Sequence, residues 1–126
     1  MEGSSKIKNF TGLVAWRESH KLVLLVYKAI EDFPEKEKFI LISQILRAVI
    51  SVSSNISEGF SRRTRKEKVQ FYSTALGSLT EVQNQLIISN DLKYISVKIF
   101  DLIYNQTVIV HKLINGLMRT AQLHNT

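Results

Sequence analysis

Cysteine is absent, and with it go disulfides, thiolate zinc sites and thiol nucleophiles; such a chain suits a reducing cytoplasm. Proline occurs once, at Pro34, and glycine five times, so turns have few places to form and long elements are expected. No apolar run approaches the ~18 residues of a membrane span. The N-terminal Met1-Glu2-Gly3-Ser4-Ser5-Lys6 lacks the apolar centre of an export signal. One cytoplasmic domain over residues 1–126, without a membrane partner, is therefore expected. The three histidines, His20, His111 and His124, share no metal-ligand spacing, so no metal or cofactor is expected.

Apolar residues recur at three and four, the helical period, and strand alternation is missing. The expected fold is all-α, an antiparallel up-down-up-down four-helix bundle with helices over about 13–32, 34–58, 64–90 and 96–123. The first has Trp16, Val23, Tyr27 and Ile30 on one stripe. Phe33-Pro34 ends it, and Pro34 suits the first turn of the second, where a missing N–H is harmless. The second has the apolar arc Leu41, Ile42, Ile45, Leu46, Val49, Val52 and Ile56, with Gly59 as a left-handed cap. Thr64 and Glu67 have capping-box spacing at the start of the third, which should bury Phe71, Ala75, Leu79, Val82 and Leu86. Ser96 suits the cap of the fourth. That helix has a core arc of Ile99, Leu102, Ile103, Val110, Leu113 and Leu117 and a second apolar arc of Val97, Phe100, Tyr104, Val108 and Met118. A bundle protomer buries one arc per helix, so the second is expected to meet another copy of the chain. A central, deeply packed helix is the alternative.

Net charge is +6, but residues 61–70, with Arg62, Arg63, Arg65, Lys66 and Lys68 against Glu67, supply +4 of it. This cluster sits at a helix start, where each exposed cation is unfavourable by about 0.3–1 kcal/mol. Five cations beside free backbone N–H groups fit a phosphate cradle for RNA or DNA, or an acidic protein face; a solvated, solubilising loop is the plain alternative. Interleaved aromatics are lacking, so such binding would follow the backbone and not the bases. Arg17, Lys21 and Lys28 are secondary candidates.

Gln44, Arg47, Ser51, Asn55 and Glu58 form a polar stripe on the second helix, matched by Gln70, Thr74, Ser78, Glu81 and Gln85, with Gly77 beside them, on the third. Small residues there favour close helix approach, and Arg47 is positioned to pair with Glu81 or Glu58. A polar subunit contact is the preferred reading. A carboxylate metal site around Glu58 and Glu81 lacks the histidine at a three-residue offset that bundle sites use. Arg119 and His124 have the spacing of an Arg-x4-His ribonuclease motif, but Thr120 follows the arginine where such motifs place an amide, acid or histidine. Asn55-Ile56-Ser57 and Asn105-Gln106-Thr107 match glycosylation sequons, but both lie within expected helices.

The strings Gln44-Ile45-Leu46-Arg47-Ala48, Ser51 through Gly59, Arg62, Phe71-Tyr72 and Ala75 through Glu81 resemble the bacterial four-helix bundle proteins first noticed as products of intervening sequences in large-subunit ribosomal RNA genes. Trp16-Arg17, Phe33-Pro34 and Asp91-Leu92-Lys93-Tyr94 match as well, so the likeness covers nearly the whole chain. Ser53 stands where the family usually has proline, and Ser57 where it has alanine. The resemblance implies a homopentameric barrel of bundles. It also implies kinship with an accessory protein of diversity-generating retroelements that binds a reverse transcriptase and nucleic acid. No enzymatic activity comes with it. The expected function is a non-enzymatic homo-oligomer whose basic face meets nucleic acid or a reverse transcriptase-like protein; a purely protein-binding scaffold is the alternative.

Overall fold

The computed structural model describes residues 7–124, with side chains as far as Leu123. Four α-helices follow one another: α1 Val14–Ala29, α2 Leu41–Ser61, α3 Arg65–Asp91 and α4 Val97–His124. No strand occurs among the described residues. α1 packs on α2, α2 on α3, α3 on α4, and α4 back on α1. The helices therefore form the expected antiparallel four-helix bundle, with α2 diagonal to α4.

Val26, Ile45, Val49, Val52, Ile56, Leu79, Val82, Ile103, Val110 and Ile114 fill the centre with almost no exposure. Polar side chains set the register at three seams. Gln106 Nε2 donates to the Glu18 backbone carbonyl and carboxylate, both at 2.9 Å, joining α4 to α1. Gln83 Nε2 donates to Thr107 Oγ1 at 3.0 Å, joining α3 to α4. Ser51 and Ser78 hydroxyls meet at 2.8 Å, joining α2 to α3. A sliding helix would strand these half-buried groups, which costs more than the bonds contribute.

Several expected details are corrected. α1 buries Ala15, Ser19, Leu22 and Val26; Trp16, Val23 and Ile30 pack at the margin of the core, and Tyr27 is exposed. Two apolar rows lie side by side on this helix, and the row with small residues takes the inner position. On α3 the buried aromatic is Tyr72, and Phe71 is half-buried. α2 begins at Leu41 and not at Pro34. Glu35–Glu37 form a single 3-10 turn, and Ile40 leaves helical space at φ −118°, ψ −92°. Tertiary contacts hold this segment: Phe33 is buried against the Tyr94 ring at 5.3 Å, and Tyr94 donates its O–H to the Glu37 carboxylate at 2.8 Å.

Gly59 is not a left-handed cap either. No glycine among the described residues has positive φ, and α2 runs through Gly59 to Ser61. A Cβ there would lie 2.6 Å from Tyr72 Cε1, so this glycine is the close approach between α2 and α3. Gly77, assigned that role from sequence, faces open space.

The left-handed cap belongs to Lys93, φ 64°, after α3. Its N–H bonds the Asn90 carbonyl at 3.0 Å, and the Tyr94 N–H bonds the Ser89 carbonyl at 2.9 Å, the paired closure of a Schellman motif. Lysine carries a Cβ cost there that glycine avoids. Lys93→Gly is expected to stabilise the protein by about 0.5–1 kcal/mol, seen as a higher urea midpoint at unchanged slope. A lower midpoint would contradict this.

Candidate nucleic-acid interface

The basic cluster occupies the turn from α2 into α3. Thr64 caps α3 by accepting from the Glu67 N–H at 3.2 Å, as expected. The Glu67 carboxylate accepts from the Thr64 hydroxyl at 3.1 Å, and no bond from it to the Thr64 N–H forms, so the box is closed by side chains. Ser96 caps α4, accepting from the Ile99 N–H at 3.1 Å.

The five cations divide into two kinds. Arg62 Nη2 donates to Glu58 Oε2 at 2.8 Å, and its guanidinium lies over the Phe71 ring, 4.7 Å from the centroid. Lys68 folds back over the turn and donates from Nζ to the Phe60 carbonyl at 2.9 Å and the Gly59 carbonyl at 3.3 Å. Those are the orphan carbonyls of α2, which a cation at a helix C-terminus satisfies. Burial lowers the Lys68 pKa. Arg62 and Lys68 are thus committed to holding the turn.

Arg63, Arg65 and Lys66 are exposed, and none has a carboxylate within 4 Å among the described residues. Arg65 and Lys66, with Val69, Gln70 and Gln122, line an open cleft of about 290 Å³ between the start of α3 and the end of α4. Arg119 is exposed one turn before Gln122. Sequence spacing gave no sign that Gln122 and the end of α4 belong beside this cluster, because the contact spans more than fifty residues.

The secondary candidates lie elsewhere. Arg17 Nη1 donates to the Gly12 carbonyl at 2.9 Å, and Lys28 pairs with Glu31 at 3.5 Å across two exposed side chains. Lys21 is exposed on α1.

The two polar stripes meet across the α2/α3 seam at Ser51 and Ser78. Ser78 is buried, Ser51 and Asn55 are half-buried, and Gln44, Arg47, Glu58 and Glu81 are exposed. The Asn55 amide donates to the Ser51 carbonyl at 2.8 Å. Neither expected pairing of Arg47 forms: Glu58 is taken by Arg62, and Arg47 has no carboxylate within 4 Å among the described residues. Gln85 is buried with Oε1 unpartnered. Among the described residues no group of three His, Cys, Asp or Glu is placed to hold a metal. Arg119 is exposed, but the His124 side chain lies outside the described residues.

The second arc of α4 is divided. Phe100, Tyr104 and Met118 pack against the core, while Val97 is 65% exposed and Val108 also faces solvent. Ile99 and Leu102, expected inside, are exposed together with Ile109. Gln106 and Thr107 take part of the inner face instead, because their hydrogen bonds to α1 and α3 need it.

No described helix is long and apolar enough to cross a membrane. No curated protein sequence matches the chain. A solved structure from Bacteroides thetaiotaomicron, described as a protein of unknown function from the S23 ribosomal protein family, is similar in fold. It has a TM-score of 0.75 at 23% identity and covers 83% of this chain and 98% of its own. The family model described as 23S rRNA-intervening sequence protein matches residues 11–116. A match over most of the chain shows that it belongs to the 23S rRNA-intervening sequence protein family.

Proposed function

We propose that this protein is a non-enzymatic, self-assembling cytoplasmic module that grips the phosphate backbone of RNA or DNA with the turn between α2 and α3. One observation carries the reading: among the described residues Arg63, Arg65 and Lys66 are exposed with no carboxylate within 4 Å, and Arg65 and Lys66 open α3, where the helix dipole disfavours them. Neighbouring cations are used up in supporting that turn, so the free three are held in place without being neutralised. Cations that cost stability in the free protein are explained by an anion they meet in a complex. The end of α4 adds Gln122 to the same surface. The apolar side chains exposed on α4 support self-assembly.

The test is the salt dependence of binding. Each neutralised phosphate contributes about −0.9 to the slope of log K against log salt on duplex DNA, so three contacts amount to about 40-fold between ~50 and ~200 mM. The variant Arg63→Gln/Arg65→Gln/Lys66→Gln is expected to keep its helicity and lose about 2.7 from that slope. Fluorescence anisotropy on a short labelled duplex of mixed sequence reads it. Binding unaltered by the triple variant would remove the cradle from the account. A protein-only scaffold is the second reading, supported by exposed Arg47, which has no carboxylate within 4 Å among the described residues. It predicts no salt-sensitive nucleic-acid binding at all.

A further inference from the structure

At the end of the bundle away from the basic turn, the surface carries both a hole and a peg. The hole is a groove of about 350 Å³ between the end of α1 and the start of α4. Leu25, Ala29, Ile95, Ile99 and Leu102 give it an apolar floor, and Lys28 and Asp32 stand on its rim. Its size suits a side chain or two and not a helix. The peg is Phe39-Ile40, just before α2. Phe39 is 84% exposed and Ile40 64%, so neither fills a groove in its own chain. A phenylalanine this open on a surface is the kind of residue that anchors interfaces.

We infer that Phe39 and Ile40 of one copy seat in the α1/α4 groove of the next, joining copies peg into groove in a head-to-tail contact. The inference rests on the self-assembly reading above and says where that assembly forms. Charge supports the fit: Asp32 on the groove rim and Lys38 beside the peg each lack an opposite charge within 4 Å among the described residues. Seating the peg brings the two together. The peg is also held ready. Glu37, two residues before Phe39, accepts from the O–H of Tyr94, and Tyr94 itself lines the groove. Little order is then lost on docking.

Peg and groove are different surfaces, so the contact is heterologous and builds a closed ring or an open array. Both lie at the same end of the bundle, the peg at the start of α2 and the groove beside the diagonal helix α4. Surfaces at the same height permit successive copies to stand side by side in the same sense, with their basic turns facing one way. Such an assembly offers a long nucleic acid several cradles at once, where the effective concentration of the second exceeds that of free protein.

Complementary variants test the inference. Phe39→Glu removes the peg and keeps the groove; Leu102→Glu spoils the groove and keeps the peg. Leu102 is 53% exposed, so neither charge enters the core, and circular dichroism checks that both variants fold. By light scattering the natural chain is expected to be a multi-subunit species and each variant a monomer. An equimolar mixture of the two is expected to form a heterodimer and nothing larger, since one sound peg and one sound groove remain. Variants that assemble like the natural chain, or a mixture that stays monomeric, would overturn the peg-and-groove contact while leaving self-assembly standing. A monomeric natural chain at high concentration would overturn both.

Discussion

Gly59→Ala is expected to destabilise the protein by about 2 kcal/mol, and Gly59→Val by about 3, while Gly77→Ala stabilises it by about 0.5–1. Both glycines lie inside helices, where alanine is intrinsically better by nearly 1 kcal/mol, so propensity alone makes both changes favourable. The surroundings reverse one of them. A Cβ on Gly59 would meet Tyr72 at 2.6 and 2.9 Å and Phe71 Cβ at 3.2 Å. Tyr72 is only 3% exposed, so its ring has nowhere to retreat. A Cβ on Gly77 meets nothing within 4 Å. Urea unfolding of the two alanine variants reads the opposite signs directly. Equal shifts in one direction would show that the α2/α3 approach is looser than this packing.

Alkaline loss of stability is expected to run through the same ring. Burial pushes the Tyr72 hydroxyl from its ordinary 10.0 up to about 12. Between those values the unfolded chain gives up the proton and the folded chain keeps it. The unfolded state gains, and stability present below pH 10 is lost as pH climbs toward 12. Two units correspond to at most about 2.7 kcal/mol, with about 2 expected after allowance for solvent at the hydroxyl. Lys68 works in the other sense. Burial lowers its pKa below 10.5, so rising pH through the window just below that value favours the fold. Comparing the natural chain with Tyr72→Phe cancels Lys68, which both share. The phenylalanine variant should lose less stability between pH ~8 and ~11 than the natural chain; equal losses would acquit Tyr72.

The candidate site was legible as a cluster but not as a machine. Five basic residues around a capping box are a local pattern, and Thr64 does cap α3. That Arg62 lies over Phe71 and Lys68 reaches back to Phe60 and Gly59 depends on how tightly α3 turns against α2. Only that turn distinguishes two structural cations from three free ones. The same limit applies to Arg47, whose expected partner Glu58 prefers Arg62 one turn along its own helix.

What the chain determines by itself is what neighbours in sequence can enforce: helical period, the caps at Thr64 and Ser96, the stop near Phe33-Pro34, and the short connections that make adjacent helices antiparallel. Those depend on interactions within about four residues, and they sufficed for a four-helix bundle. Tertiary structure decided which row of each helix faces inward, that Gly59 is a contact and Lys93 a cap, and that Phe39 is left in water at the end of the bundle that carries an apolar groove. Each of these compares the room available between helices with the volume of a side chain, and that room exists only once the helices have met.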